Sequence, residues 1–193
     1  MIFFSVAILS FNRIKESIMI IGLLGPSCSG KSFFLKSLQE LVGFCIPMSV
    51  TTRPQREEEL WHLRHVSKRS FEVMKDQEKL CFITEAFRHS YACLRFGHGS
   101  DADTPLIITK GNIPELKGMG GAVVKIIPHD PEEAIKRITS QGRKNKEGRI
   151  QQLLLDFSSK EDTLADVIFE NRYDEASLKD FLILIQKLKQ TRT

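Results

Sequence analysis

One octapeptide constrains the fold of this chain more than any other stretch. Residues 25–32 read G-P-S-C-S-G-K-S and match the phosphate-binding pattern G-x-x-x-x-G-K-[S/T] at every fixed position. The apolar run 19–24 before it is typical of a buried parallel strand, and residues 32–42 after it have the apolar spacing of a helix. The sequence therefore predicts a strand, a phosphate-binding turn and a helix in that order.

Each part of this turn has a predicted chemical role. Glycines let backbone N–H groups wrap a phosphate without a Cβ in the way, and the following helix points its positive end at the same anion. We expect Lys31 to reach the β- and γ-phosphates of ATP and the Ser32 hydroxyl to ligate Mg²⁺. The nucleotide-binding residues predicted from the motif are Gly25, Pro26, Ser27, Cys28, Ser29, Gly30, Lys31 and Ser32.

The remainder of the chain alternates between strand and helix patterns, which predicts an α/β fold with a central parallel sheet. The predicted strands are 44–50, 62–66, 80–83, 91–96, 106–109, 122–127 and 167–169. The predicted helices are 67–79, 131–140, 149–159 and 175–189, and the polar stretch 141–148 is predicted to be a mobile loop. No linker divides the pattern, so we expect a single domain over 19–193.

Composition and the N-terminus narrow the setting. The net charge is +4, from 28 basic and 24 acidic residues without a long basic run, so no nucleic-acid partner is expected. Residues 1–18 contain an apolar run too short to span a bilayer, and we interpret them as an N-terminal arm outside the core, with no membrane partner. Four scattered cysteines indicate reduced thiols in a cytoplasmic protein.

From residue 19 to about residue 189 the chain resembles guanylate kinase and its relatives. Five segments carry the resemblance in the family's order: 25–32, then S-V-T-T-R-P-Q-R at 49–56, H-V-S at 65–67, 82–91, and D-V-I-F-E-N at 166–171. The resemblance implies a three-layer P-loop kinase fold with an acceptor-binding insertion over about 49–96 and a lid over about 137–149. It also implies a small phosphorylated substrate and a monomer or homodimer.

The resemblance assigns roles to particular residues. Ser49, Arg53 and Arg56 would hold the phosphate of the acceptor, with Tyr91 beside them, and Asn171 would lie near the adenine. The lid arginines that would act in catalysis together with Lys31 are Arg137, Arg143 and Arg149. Guanidinium groups suit these tasks because they bind phosphate with two parallel hydrogen bonds and keep their charge.

The residues that would read guanine mostly depart from the family pattern. The strand end that is usually I-L-D-x-D reads L-I-I-T-K-G-N at 106–112, and Lys110 becomes a candidate acceptor ligand there. The base-reading glutamate falls at Thr84, or at Glu85 with a slip of one residue.

Three functions therefore stay open. The first is a nucleoside monophosphate kinase acting on an acceptor such as GMP. The second is a ribose 1,5-bisphosphate phosphokinase, whose family shares the T-R loop, a histidine near His62 and the G-R-x-N of 142–145, although its loop usually lacks an equivalent of Arg56. The third is a catalytically weak binding module, against which the retained Lys31 and Ser32 argue.

Overall fold

The computed structural model describes residues 19–55, 62–86, 88–96, 103–140, 145–158 and 164–191. Its strands are β1 (Ile20–Leu24), β2 (Ser49–Thr51), β3 (Leu63–His65), β4 (Leu80–Ala86), β5 (His89–Leu94), β6 (Thr104–Ile107), β7 (Ala122–Pro128) and β8 (Val167–Asn171). Its helices are α1 (Lys31–Val42), α2 (Lys68–Asp76), α3 (Ile113–Gly118), α4 (Pro131–Ser140), α5 (Lys146–Ser158) and α6 (Glu175–Gln190), with a 3-10 turn over Lys110–Asn112.

The central sheet has the strand order β6-β1-β7-β8, and every pair in it is parallel. Strand β7 is buried along its whole length, which explains its nearly unbroken apolar sequence. Helices α1 and α6 pack on one face of the sheet, and α3 packs on the opposite face. The predicted α/β fold with a central parallel sheet and helices on both faces is confirmed.

A second sheet, β3-β2-β5-β4, stands beside the central one. Strand β2 pairs in parallel with β3 and antiparallel with β5, which forms a hairpin with β4. Helix α2 covers one face of this sheet, because Phe71 packs with Val50, Leu80 and Ala92. Ser67 caps α2, since its side chain accepts a hydrogen bond from the Ser70 N–H.

Strand β4 joins the second sheet to the core through a bulge. The pairing register with β5 shifts after Cys81, and Phe82 takes a left-handed backbone conformation with φ of 52°. The polar groups exposed by the bulge bond to the core: the Phe82 N–H donates to Glu115 Oε2 at 2.9 Å, and Asn112 Nδ2 donates to the Ile83 carbonyl at 3.2 Å. The second sheet is thus fixed to the central layer along β4.

Three element predictions need correction. The strand predicted over 44–50 is formed only at Ser49–Thr51, because the backbone before it bonds elsewhere: the Phe44 N–H to Leu38 and the Cys45 N–H to Asp103. The 3-10 turn and α3 were not predicted. Helix α5 begins at Lys146, three residues earlier than predicted, within the stretch interpreted as a loop.

Two predicted segments lie outside the described residues. These are the N-terminal arm over 1–18 and lid residues 141–144, which include Arg143. Arg56 also lies outside them. Among the helices that the structure describes, none has the length and apolar character needed to cross a membrane.

The described cysteines are all free thiols. Cys81 on β4 and Cys93 on β5 lie directly opposite each other in the sheet and are buried, whereas Cys45 is exposed. Burial is the main cause that raises the pKa of Cys81 to about 12 and that of Cys93 to about 11. Both thiols therefore stay protonated at neutral pH.

This burial predicts a clear order of thiol alkylation. At pH 8 we expect iodoacetamide to modify Cys93 and Cys81 about a hundredfold or more slowly than Cys45, because burial suppresses the thiolate and hides the sulfur. Mass spectrometry of peptides after timed quenching measures the three rates. Unfolding in guanidinium should abolish the difference, and equal rates in the native protein would contradict the buried pair.

Candidate functional site

At two positions of the turn between β1 and α1, the backbone takes a conformation that only glycine tolerates. Gly25 and Gly30 have φ values of 146° and 99°, in the region that side chains disfavour. A Cβ on Gly25 would lie 2.1 Å from the Ile126 carbonyl oxygen, and one on Gly30 would lie 2.4 Å from Asn171 Nδ2. Both fixed glycines of the motif are therefore required by close backbone approach as well as by conformation.

Lys31 crosses the turn that precedes it. Its ammonium group donates to the carbonyl of Gly25 at 2.8 Å and to that of Pro26 at 2.6 Å. The same residue begins α1, and the exposed Ser32 follows in the first turn of that helix. A positive charge, a helix N-terminus and a glycine-shaped turn thus meet at one place, which suits a triphosphate. Ser32 is the residue here that would hold Mg²⁺.

The end of β8 and the loop after it support this turn through hydrogen bonds. Asn171 is buried at the end of β8, and its Nδ2 donates to the Ser29 carbonyl at 3.0 Å. Its Oδ1 accepts from the Tyr173 N–H at 2.8 Å, and the Tyr173 hydroxyl donates to the Cys28 carbonyl at 2.8 Å. Asn171 was predicted to lie near adenine; its amide lies directly against the phosphate-binding turn. Tyr173 was not predicted, since a tyrosine two residues past a strand carries no recognisable signal.

Cys28 occupies a strained position at the top of the turn. Its φ is 62°, which is uncommon for a residue other than glycine. Its side chain packs against the buried cluster of Ala134, Ile138 and Leu153, which joins α4 and α5. Through this contact the phosphate-binding turn touches both helices that flank the predicted lid.

Two of the three predicted lid arginines are described, and they behave differently. Arg149 is buried, and its Nη1 donates to the Ser27 hydroxyl at 2.8 Å. Arg137 lies on α4 with its guanidinium 4.3 Å from the centre of the Tyr173 ring and its Nε 2.8 Å from Glu133 Oε1. Arg149 thus contacts the phosphate-binding turn directly, and Arg137 reaches it through Tyr173.

The second sheet brings the predicted acceptor residues to one face. Ser49 lies opposite Cys93, and Thr51 lies opposite Tyr91, so Ser49 and Tyr91 are diagonal neighbours on the same side. Arg53 follows two residues after the end of β2 and is largely buried, and its Nη1 donates to the Pro54 carbonyl at 3.1 Å. The structure therefore places Ser49 and Tyr91 on one face and Arg53 just beyond the end of the same strand as Ser49, and Arg56 lies outside the described residues.

Hydrogen bonds fix the loop that carries Arg53. The Thr51 hydroxyl donates to the Ser90 carbonyl at 2.9 Å, and the Ser90 N–H donates to the Thr52 hydroxyl at 2.9 Å. The Arg53 N–H donates to the Thr51 hydroxyl, and its carbonyl lies 2.6 Å from His65 Nδ1. The two threonines that precede Arg53 thus position the loop that carries it. The predicted role of Arg53 comes from the family resemblance alone.

The carboxyl end of β6 faces the second sheet with hydroxyl groups. Thr84 Oγ1 lies 3.2 Å from Thr109 Oγ1, and Thr109 donates to Asn112 Oδ1 at 2.9 Å. The next residue, Lys110, forms an ion pair with Asp156 of α5 at 3.5 Å. The resemblance would put acidic residues at the position of Lys110 and at that of Thr84, or of Glu85 with a slip of one residue. Asp156 was not predicted, because it reaches the site from a helix distant in sequence.

Comparison with known proteins supports the fold and goes no further. Neither protein-family models nor curated proteins match the chain by sequence. Among solved structures, guanylate kinase from Anaplasma phagocytophilum aligns with a TM-score of 0.68 and 18% identity, covering 90% of this chain and 87% of that one. Shikimate kinase from Acinetobacter baumannii, in complex with shikimate, aligns with a TM-score of 0.48 and 16% identity over 92% and 96% of the two chains.

The chain thus has the fold of a P-loop kinase. More particularly, it has the fold of guanylate kinase, with the second sheet and its helix inserted between α1 and β6, the second strand of the central sheet in chain order. At 18% identity this likeness concerns architecture alone.

The brace of the phosphate-binding turn gives the first prediction for the site. Asn171→Ala leaves the Ser29 carbonyl and the Tyr173 N–H without their buried partner, so we expect a loss of about 1–3 kcal/mol in the free energy of unfolding. Denaturant titration monitored by circular dichroism measures it. Arg172→Ala, at the exposed neighbouring position, should leave the unfolding midpoint nearly unchanged. An unchanged midpoint in Asn171→Ala would contradict the brace.

Proposed function

We propose that the chain is an ATP-dependent phosphotransferase that acts on a small phosphorylated acceptor, a nucleoside monophosphate such as GMP. The observation that carries the proposal is the construction of the turn at 25–32, where glycine conformation, the Lys31 ammonium and the start of α1 coincide. This combination suits the phosphates of ATP. A phosphotransferase also needs a second anion-binding face for its acceptor, which a simple nucleotide hydrolase does not need. The neighbouring sheet would provide that face.

Arginine residues on both the donor side and the acceptor side of the site support the same proposal. Arg149 touches the phosphate-binding turn through Ser27, and Arg53 is held at the end of β2 by the threonines beside it. A guanidinium on the donor side and another on the acceptor side would compensate the charge of two phosphate groups brought together. Such compensation is needed because the two substrates repel each other.

The reaction we propose leaves the protein with little covalent chemistry. An oxygen of the acceptor phosphate attacks the γ-phosphorus of ATP. The bond between the γ-phosphorus and the oxygen that bridges it to the β-phosphorus breaks, and ADP leaves. Mg²⁺, held at Ser32, would neutralise charge on the β- and γ-phosphates. The residues of the chain orient the two substrates and stabilise the spreading charge: Lys31 and Arg149 from the donor side, Arg143 from the lid, and Ser49, Arg53, Arg56 and Tyr91 from the acceptor side.

One observation favours a second candidate acceptor. The groups near the end of β6 are the Thr109 hydroxyl, the Thr84 hydroxyl from β4, and Lys110, which pairs with Asp156 of α5. Residues 104–112, which form that strand end, contain no carboxylate of their own to pair with the N–H groups of guanine. Hydroxyls and an ammonium suit a phosphorylated sugar. Ribose 1,5-bisphosphate is therefore the alternative acceptor that the site chemistry supports.

The donor half of the proposal predicts the effect of removing the turn lysine. In Lys31→Ala we expect the affinity for Mg·ATP to fall about tenfold or more and turnover to be lost, because the ammonium no longer meets the β- and γ-phosphates. Titration calorimetry with a non-hydrolysable ATP analogue measures binding independently of the acceptor. Lys36→Ala, an exposed lysine on the same helix, is the matched control. Parental binding and turnover in Lys31→Ala would refute the assignment.

The role proposed for the lid arginine predicts that its removal affects catalysis far more than ATP binding. Arg143→Ala should lower kcat by about 10³-fold while the affinity for ATP changes little, because a lid arginine acts on the charge that develops during transfer. Steady-state kinetics and nucleotide titration give the two values. Lys136→Ala, on the exposed side of α4, controls for the loss of one positive charge. A change in ATP affinity equal to the change in kcat would contradict this role.

A further inference from the structure

Tyr173 takes a backbone conformation that suits glycine better than a large aromatic residue. Its φ is 61°, in the left-handed region where a bulky side chain is an outlier. The Tyr173 N–H donates to Asn171 Oδ1 at 2.8 Å, and this bond helps to hold the conformation. Backbone strain of this kind is often found where a side chain has a functional task. The contacts of the Tyr173 side chain indicate that task.

The side chain of Tyr173 lies between the phosphate-binding turn and α4. Its hydroxyl donates to the Cys28 carbonyl at 2.8 Å. Burial raises the pKa of Tyr173 to about 12, so the hydroxyl keeps its proton at neutral pH and remains a donor. On one face of the ring, the guanidinium carbon of Arg137 lies 4.3 Å from the ring centre. One aromatic ring thus joins the turn to an arginine of the predicted lid.

A second contact connects α4 to the same residue of the turn. The side chain of Cys28 packs against Ala134 and Ile138, which flank Arg137 on α4. The contacts therefore form a closed path, from Cys28 through α4 to Arg137 and back to Cys28 through Tyr173. A closed path holds the guanidinium beside the phosphate-binding turn more firmly than either contact alone.

Arg137 is held in place but still has donors to offer a ligand. Its Nε donates to Glu133 Oε1 at 2.8 Å, and its face lies on the ring of Tyr173. Contact with an aromatic ring uses the face of a guanidinium and none of its N–H groups. The side chain of Arg137 is 45% exposed. A guanidinium that is both positioned and accessible suits a phosphate bound in the turn.

We propose that Tyr173 is a positioning residue for phosphoryl transfer, an inference that rests on the proposed phosphotransferase function. Its ring holds the Arg137 guanidinium beside the phosphate-binding turn, and Arg137 stabilises the charge that develops on the transferring group. Because the ring acts through Arg137, its loss lowers the rate of transfer and leaves nucleotide binding largely unchanged. A displacement of about 1 Å in a catalytic group costs on the order of 10²-fold in rate.

The test compares substitutions that all remove the hydroxyl. Tyr173→Phe keeps the ring, whereas Tyr173→Asn and Tyr173→Gly remove it and suit the left-handed backbone. Relative to Tyr173→Phe, we expect both to lower kcat about 10²-fold and to bind a non-hydrolysable ATP analogue within about threefold of the same affinity. The rate of ADP release is measured with GMP, or with ribose 1,5-bisphosphate if the parent does not phosphorylate GMP. Calorimetry gives the affinity, and circular dichroism confirms that each variant is folded.

A double-mutant cycle tests whether the ring acts through Arg137. Arg137→Ala should itself lower kcat about 10²-fold or more. In that background, replacing Tyr173→Phe with Tyr173→Asn should change kcat less than about twofold, because the group that the ring positions is already absent. Lys136→Ala is the matched control on the exposed side of α4, and in that background the same replacement should keep its full effect.

The outcomes separate this inference from the function on which it rests. If the parent transfers phosphate and Tyr173→Asn and Tyr173→Gly retain the kcat of Tyr173→Phe, the inference is wrong and the phosphotransferase stands. If removing the ring lowers kcat equally with and without Arg137, or weakens nucleotide binding as much as it lowers kcat, Tyr173 does not act by positioning Arg137 and the inference is again wrong. If the parent phosphorylates neither acceptor, the proposed function fails and the inference fails with it.

Discussion

The rest of the site depends on the contact between the phosphate-binding turn and the end of β8. Gly30 can approach Asn171 so closely only because it lacks a side chain, and the Asn171 amide then satisfies the Ser29 carbonyl that this approach buries. Tyr173 extends the same support to Cys28. Two strands that are far apart in sequence thus fix the shape of the turn before any phosphate arrives, which lowers the ordering cost of binding.

Around this fixed turn, the other parts of the site differ in how firmly they are attached. The second sheet is tied to the core along the bulge of β4 by Glu115 and Asn112, so the face that carries Ser49 and Tyr91 has a set position relative to the turn. Among the described residues, the helices that flank the predicted lid contact the turn through Arg149 and the side chain of Cys28.

The sequence predicted the central architecture well because its signals are local. The octapeptide, the apolar strands and the capped helices each depend on neighbouring residues, and the parallel sheet follows from their alternation. The missed features depend on distant pairs: Tyr173 on Cys28, Glu115 on Phe82, and Asp156 on Lys110. The strand predicted over 44–50 is shorter in the structure because the Phe44 N–H bonds to the Leu38 carbonyl at the end of α1 and the Cys45 N–H makes a tertiary bond to Asp103. Resemblance supplied the acceptor residues, which spacing alone does not reveal.

In the function proposed above, the chain moves a phosphoryl group from ATP to a phosphorylated acceptor. A coupled assay that follows ADP release, run with Mg·ATP and each of GMP, dGMP, AMP and ribose 1,5-bisphosphate, tests it most directly. The account predicts that one of these acceptors raises the rate of ADP release far above the rate with ATP alone, with one phosphorylated product formed per ADP. ADP release that no acceptor accelerates, or an acceptor-dependent rate without a phosphorylated product, would contradict it.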